Sequence, residues 1–275
     1  MKKAIHILFL AAMLCGCEVI GEQDRFIELP MDSSWFTNTR THVLVEFTGF
    51  RCVNCPTAAE KAQELSDIYT DKLIVVAMHP QSNPFTQGAK KYDYTCPEAD
   101  SYYQYLGGTS QTAFPAGNIN LRKTGDNNFC DYQEWTSKLA EVSHESSNLH
   151  VQIKDVQLDP TRRKVQITVE AYAGEETDCR LAIWVVEDSI LGAQAMPDGS
   201  NNMAYYHRHV LRQTIGGDPW GMHVQLMPQT KSFQQGTTLP EEWNMAHCHL
   251  VAVLLDEQDK QILNAAEYSI NNTIQ

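Results

Sequence analysis

The run Val43-Leu44-Val45-Glu46-Phe47-Thr48-Gly49-Phe50-Arg51-Cys52-Val53-Asn54-Cys55-Pro56 constrains this chain more than any other segment. Its apolar first half reads as a buried β-strand, the Thr-Gly pair as a turn, and Cys-x-x-Cys then falls at the start of a helix. Two thiols at that spacing can close and reopen a small disulfide. A helix N-terminus favours the thiolate of the first, because its unpaired N–H groups carry partial positive charge, and Arg51 acts in the same sense. A bare Cys-x-x-Cys also fits a zinc half-site or a permanent disulfide. The strand before it and the helix after it favour redox chemistry.

The N-terminus reads as a targeting segment and is set apart from the fold. Lys2 and Lys3 give a charged start, and Ala4 to Leu14 an apolar stretch too short to span a bilayer as a helix. Leu14-Cys15-Gly16-Cys17 resembles a bacterial lipobox, with Gly16 as the small residue before the lipidated Cys17. Residues 1–16 are then a lipoprotein signal peptide, an ordinary secretory signal being the alternative. Residues 17–40 are a tether and lead-in. Acyl chains on Cys17 anchor a protein to the membrane without spanning it. Glu18 gives no signal for retention at the inner membrane, so the expected address is the outer membrane, facing either the periplasm or the surface. Loss of Lys2 and Lys3 with the signal takes the formal charge from -13 to -15. A chain so acidic, with no basic cluster, is not expected to bind nucleic acid.

Residues 41–146 alternate strand and helix. His42 to Phe47 is an apolar strand. Ala58, Ala62, Leu65 and Ile68 recur at helical spacing between Thr57 and Tyr69. Leu73 to Ala77 is a continuous apolar run suited to a parallel strand covered on both faces. A short helix is expected near Glu98 to Leu106, ending at Gly107-Gly108. Phe114-Pro115-Ala116 leads into a strand at Asn118 to Leu121, and a proline there in a Cys-x-x-Cys chain suggests a cis peptide bond. Asp131 and Glu134 form a capping-box pattern ahead of a helix carrying Trp135, Leu139 and Val142.

These residues together resemble the thioredoxin fold. The resemblance implies an attacking thiol at Cys52, a resolving thiol at Cys55, a buried proton-accepting carboxylate at Glu46, and a cis-proline at Pro115 that lies against the disulfide and orients a substrate chain. Two departures stand out: Arg51 replaces the usual tryptophan, and a longer insert separates the motif from Pro115.

Residues 147–275 change to period-two alternation. Val151 to Leu158, Val165 to Ala171, Cys179 to Glu187, Tyr205 to Arg212, His223 to Leu226, His247 to Leu255 and Ile262 to Ser269 read as strands of an antiparallel, immunoglobulin-like β-sandwich. The fold class is thus an α/β thioredoxin-like domain followed by an all-β sandwich. His207, His209, His223, His247 and His249 sit at strand spacings that could hold zinc. No carboxylate or cysteine reinforces them, so no metal and no cofactor is expected. An exported compartment permits disulfides, and Cys96 with Cys130 and Cys179 with Cys248 are candidate pairs beside Cys52 with Cys55.

As a whole the chain resembles the Bacteroidetes outer-membrane lipoproteins, some of which are treated as surface proteins or adhesins. Phe47-Thr48-Gly49, Cys52, Cys55, Phe114 to Gly117 and Tyr206 to Arg212 carry the resemblance. Three functions stand beside that resemblance. One is thiol–disulfide exchange with protein thiols or disulfides. Another is a surface binding lipoprotein or adhesin that meets a protein partner, with the thioredoxin-like half as scaffold. The third is a structural envelope protein with no small-molecule chemistry.

Overall fold

A computed structural model describes residues 39–88, 91, 93–125 and 127–274. The signal peptide, Cys17 and most of the tether lie outside the described residues. The described residues form one compact unit. It is mostly β, with mixed sheets and few helices.

Strands β1 (His42–Phe47) and β2 (Leu73–Met78) are buried at every position and pair in parallel, as their unbroken β-branched and apolar runs demand. Helix α1 (Cys55–Tyr69) joins them, opened by Pro56 and burying Cys55, Ala58, Ala62 and Leu65. Helix α2 (Pro97–Tyr105) starts on a proline with Glu98 and Asp100 in its first turn, where the helix dipole favours acids. Strand β3 (Ala116–Ile119) then pairs antiparallel with β1. It stops short of the expected Leu121, because Asn120 and Leu121 both turn at positive φ. The Asp131–Glu134 capping box forms and leads into α3 (Trp135–Val142).

The remaining strands are β4 (Leu149–Asp159), β5 (Lys164–Ala173), β6 (Thr177–Glu187), β7 (Ile190–Ala195), β8 (Asn201–His207), β9 (Val210–Thr214), β10 (Met222–Leu226), β11 (Lys231–Thr238), β12 (Cys248–Asp256) and β13 (Ile262–Ser269), with a last short helix α4 (Asn271–Ile274). The expected strand Tyr205 to Arg212 is corrected. It is two strands in different sheets, broken at Arg208-His209, where His209 takes φ 56°. Strands β7 and β11 were not expected; the first is small and unpatterned (Ile-Leu-Gly-Ala-Gln-Ala), the second almost wholly polar.

One eight-stranded sheet runs β13-β12-β6-β9-β2-β1-β3, with β10 beside β6. The two halves of the chain therefore share a sheet, joined where β2 meets β9 in parallel at Ala77 and Val210. A second sheet, β11-β5-β4, packs on the β6–β12 end over Val165, Ile167, Leu181, Leu250 and Leu254. Across the main sheet, α2 covers Val43, Val45, Phe47 and Trp184 on one face, while α1 and α3 cover Leu44, Leu73 and Val75 on the other. Trp184 donates its indole N–H to the Tyr102 hydroxyl at 2.8 Å, tying β6 to α2. Strands β7 and β8 stand apart as a two-stranded hairpin, inserted between the paired strands β6 and β9.

Candidate functional site

The cysteine loop leaves the C-terminal end of β1. Thr48 continues the parallel pairing by donating to the Met78 carbonyl at 3.0 Å. Gly49 follows because the chain passes too close to its neighbour for any side chain: a Cβ there would stand 2.5 Å from the Phe85 carbonyl oxygen. That carbonyl accepts from Arg51 N–H at 3.1 Å, and Cys52 N–H closes a turn onto Gly49 at 3.0 Å. Cys55 is the first residue of α1, and Cys52 lies in the turn before it.

Cys52 and Cys55 are joined as a disulfide, and both are buried, at 1% and 2% exposure. Val53 between them is exposed. Glu46 is placed on the α1 face of β1, opposite Ala77, and is itself buried. Thr48 gives its carboxylate a hydrogen bond, while the Oε1 atom has no partner among the described residues. Burial therefore pushes Glu46 up to about 8, against a small opposing effect of Thr48. Glu46, Thr48, Cys55, His79, Gln194 and His207 line one small cavity of about 20 Å³, space for a single water molecule. Cys55 and the buried carboxylate thus share a polar chamber.

Two histidines complete it. His79 sits at the C-terminal end of β2, one residue past Met78, and neither ring nitrogen has a partner among the described residues. Burial holds it neutral, well below the usual histidine value, and the nearby His207 and Arg212 add to that. His207 ends β8 and lies against the Tyr94 ring, 4.3 Å between centroids, with its Nε2 3.2 Å from the Ala193 carbonyl. Burial lowers it to about 4. Burial thus favours the neutral forms of Glu46 and of both imidazoles, while the Arg208 guanidinium also lines the chamber.

Pro115 follows a cis peptide bond from Phe114. Since Phe47 pairs with Ala116, Pro115 comes at the end of the sheet from which the cysteine loop departs. Its neighbour Phe114 stacks on Phe85, which braces that loop. Pro115 itself lines a separate surface cleft with Thr112, Ala116 and Phe129. The structure therefore brings Cys52, Cys55 and Glu46 together, and puts Pro115 at the same sheet end but outside their chamber.

The other candidate disulfides are corrected: Cys96, Cys130, Cys179 and Cys248 are all free thiols. Cys96 packs in the core under α2 and Cys130 against the core under α1 and α3, on opposite faces of the sheet. Cys179 stands opposite Asp256 and Cys248 opposite Glu187, the two ends of the β6–β12 pair, roughly 25 Å apart at ~3.3 Å per residue. Burial raises all four thiols, Cys130 to about 11 and the others to about 12, so they stay protonated.

The strand histidines part company as well. His209 and His249 meet across Asp188, at 3.4 and 3.3 Å, and His249 also reaches Glu267 at 3.1 Å. His223 pairs with Glu257 and Asp178 at the surface. Among the described residues no group of three or more His, Cys, Asp or Glu is arranged to hold a metal ion, and no helix is long and apolar enough to cross a membrane.

Gln194, His79 and His207 were not expected at the site. His79 left one signal: a polar residue closing a continuous apolar strand at its C-terminal end, where open α/β sheets carry their sites. Gln194 and His207 left none, since a hairpin more than a hundred residues away delivers them.

A family model described as outer membrane protein Omp28 matches residues 99–274, more than half of the chain. The structure resembles HBP35 of Porphyromonas gingivalis with a TM-score of 0.67 at 17% identity, covering 84% of this chain and 75% of that one. It also resembles an Agrobacterium tumefaciens protein solved as a structural genomics target, with a TM-score of 0.51 at 15% identity, covering 86% and 97%. At such identities the likeness shows fold alone. No curated protein matches the chain.

Proposed function

The chain belongs to the Omp28 family of outer membrane proteins, bearing out the resemblance to Bacteroidetes outer-membrane lipoproteins, and from that premise we propose that it performs thiol–disulfide exchange at the outer membrane. In this reading a thioredoxin-like half carries the reaction, a β-sandwich half supports it, and lipid on Cys17 anchors both. The observation that carries the reading is Glu46. A buried carboxylate with an unpartnered oxygen costs stability, and a scaffold would do better with an apolar residue or an amide there. Its place beside Cys55 gives that cost a use.

The oxidised site works as follows. A substrate thiolate attacks Cys52 Sγ, forming a mixed disulfide and breaking the Cys52–Cys55 bond. The electron pair leaves on Cys55 Sγ, which takes a proton from neutral Glu46. A second substrate thiolate then attacks the substrate sulfur of the mixed disulfide and releases Cys52. The substrate dithiol is oxidised by two electrons and the Cys52–Cys55 pair is reduced by two. In the reverse direction the Glu46 carboxylate takes the Cys55 proton, and Cys55 resolves the mixed disulfide. A Glu46 value of about 8 lets it serve both ways near neutral pH.

A Cys55→Ala variant, unable to resolve, tests this by trapping. Envelope proteins held on Cys52 through a bond that dithiothreitol releases support exchange; no adduct above the level of a Cys52→Ser, Cys55→Ala control rejects it. A second reading, a surface binding protein in which this half is only a scaffold, is favoured by one observation, the burial of both sulfurs.

A further inference from the structure

A disulfide at 1% and 2% exposure cannot be reached by a thiolate, which must approach in line with the S–S bond. What closes the loop off is specific. Among the described residues the β7–β8 hairpin pairs with itself alone, and it lies over the cysteine loop through two bonds. Ala195 donates its N–H to the Phe50 carbonyl at 2.8 Å, and Gln194 donates its side-chain amide to the Cys52 carbonyl at 2.9 Å. Gln194 is buried in doing so and lines the chamber beside Cys55. At the far end of the hairpin Arg208 reaches Gln63 on α1, at 3.2 Å. Gly192 fits under Tyr94 only because it lacks a side chain; a Cβ would stand 1.7 Å from the Tyr94 hydroxyl.

Strand β6 is bonded along its length to β12, β9 and β10, whereas among the described residues the hairpin has no ladder to any other strand. Leu191, Met203 and Tyr206 leave large apolar side chains exposed on it. An element with no ladder to the sheets beneath it opens at lower free energy than the core it rests on.

We propose that the β7–β8 hairpin is a displaceable cover over the Cys52–Cys55 disulfide, latched by Gln194, and that the substrate it admits is an extended cysteine-bearing polypeptide segment. The substrate half of this inference rests on the thiol-exchange reading; the cover itself does not. The bonds that β7 makes define the selectivity. The Phe50 and Cys52 carbonyls lose these donors when the hairpin lifts, and a ligand that brings its own donors competes with the hairpin for them. An extended chain offers backbone N–H groups at strand spacing and replaces them. Glutathione, with two amide N–H groups and no strand-length backbone, cannot lie along the loop in the hairpin's place, so it meets the cover with little power to displace it.

The test is the rate at which the oxidised chain is reduced by glutathione and by an extended peptide carrying one cysteine, for the wild type and for Gln194→Ala. The wild type is expected to react at least tenfold faster with the peptide. Gln194→Ala is expected to speed the glutathione reaction at least tenfold and to erase most of the peptide's advantage. A glutathione rate within twofold of wild type overturns the latch, and equal wild-type rates for the two thiols overturn the substrate class. Arg208→Ala, on the exposed tie to α1, serves as second variant and is expected to accelerate the glutathione reaction too. Amide exchange supplies a readout without mutation: Ala195 N–H should exchange well before Val253 N–H in β12, and simultaneous exchange overturns the cover. A faster rate together with a pair too reducing for exchange leaves the cover standing while the exchange reading falls. An unchanged rate with an exchange-range pair does the reverse.

Discussion

Two glutamates in this molecule show how differently one side chain can be used. Glu145 follows α3 and is gripped by two arginines. Arg122 bonds it with both terminal nitrogens at 2.8 and 2.7 Å, and the buried Arg40 with one at 2.6 Å. The hydrogen bonds from Arg122 hold its carboxyl below the usual range despite partial burial. Arg40 also donates to the Ile262 carbonyl, so this clamp fastens the start of the fold to β13. Glu46 is more deeply buried and, among the described residues, is bonded by Thr48 alone. Burial drives it the other way, to about 8. The difference separates a carboxylate kept for architecture from one kept poised to exchange a proton.

The largest effect that would break this comparison is kinetic. Glu46→Gln should slow thiol exchange at pH 7 by about a hundredfold, within the usual worth of a general acid–base group, read by stopped-flow with a dithiol peptide. Glu145→Gln should leave that rate within twofold and instead cost about 2 kcal/mol of stability in urea unfolding, because buried Arg40 loses its counter-ion in a half-open site. An equal slowing by both substitutions would erase the distinction.

Stability should also move in opposite directions. Glu46→Gln should gain about 1 kcal/mol at pH 8, since it removes a buried carboxylate with a missing partner. The sign follows from the folded value of about 8 against an ordinary 4.5. A raised group contributes its stability fully below 4.5 and loses it as pH climbs through 8, so the wild type weakens across that window and the Gln variant does not.

The smallest effect belongs to the Asp188 cluster. Hydrogen bonds donated to Asp188 and Glu267 raise His249 to about 9, so its contribution is complete below 6.5 and fades as pH rises through 9. Burial opposes ionisation of Asp188, yet its bonds from His249 and the charge of His209 hold it at about 2; its share is present above 3.8 and is lost as pH falls through 2. A urea titration of His249→Asn should lose the alkaline part of the pH dependence and keep the Glu46 part.

The sequence made the first half legible because local physics dominates there. β1 and β2 are continuous apolar runs, α1 opens on Pro56, and the Asp131–Glu134 capping box needs only its own four residues. Cys52, Cys55 and Glu46 were legible for the same reason, lying within ten residues of one another. What was not legible depends on chain from elsewhere. β7 carries no alternation to betray it, and His209 breaks the expected Tyr205 to Arg212 strand at a positive φ that a histidine pattern does not announce. The free thiols misled because compartment permits disulfides, while geometry decides them.

The most direct test of the account is the reduction potential of the Cys52–Cys55 pair in the wild-type chain, equilibrated in glutathione and dithiothreitol buffers with a Cys52→Ser control. The account predicts a single reducible pair between about -120 and -270 mV, the range of working exchange proteins. A value below about -300 mV would contradict it and leave the pair a structural staple.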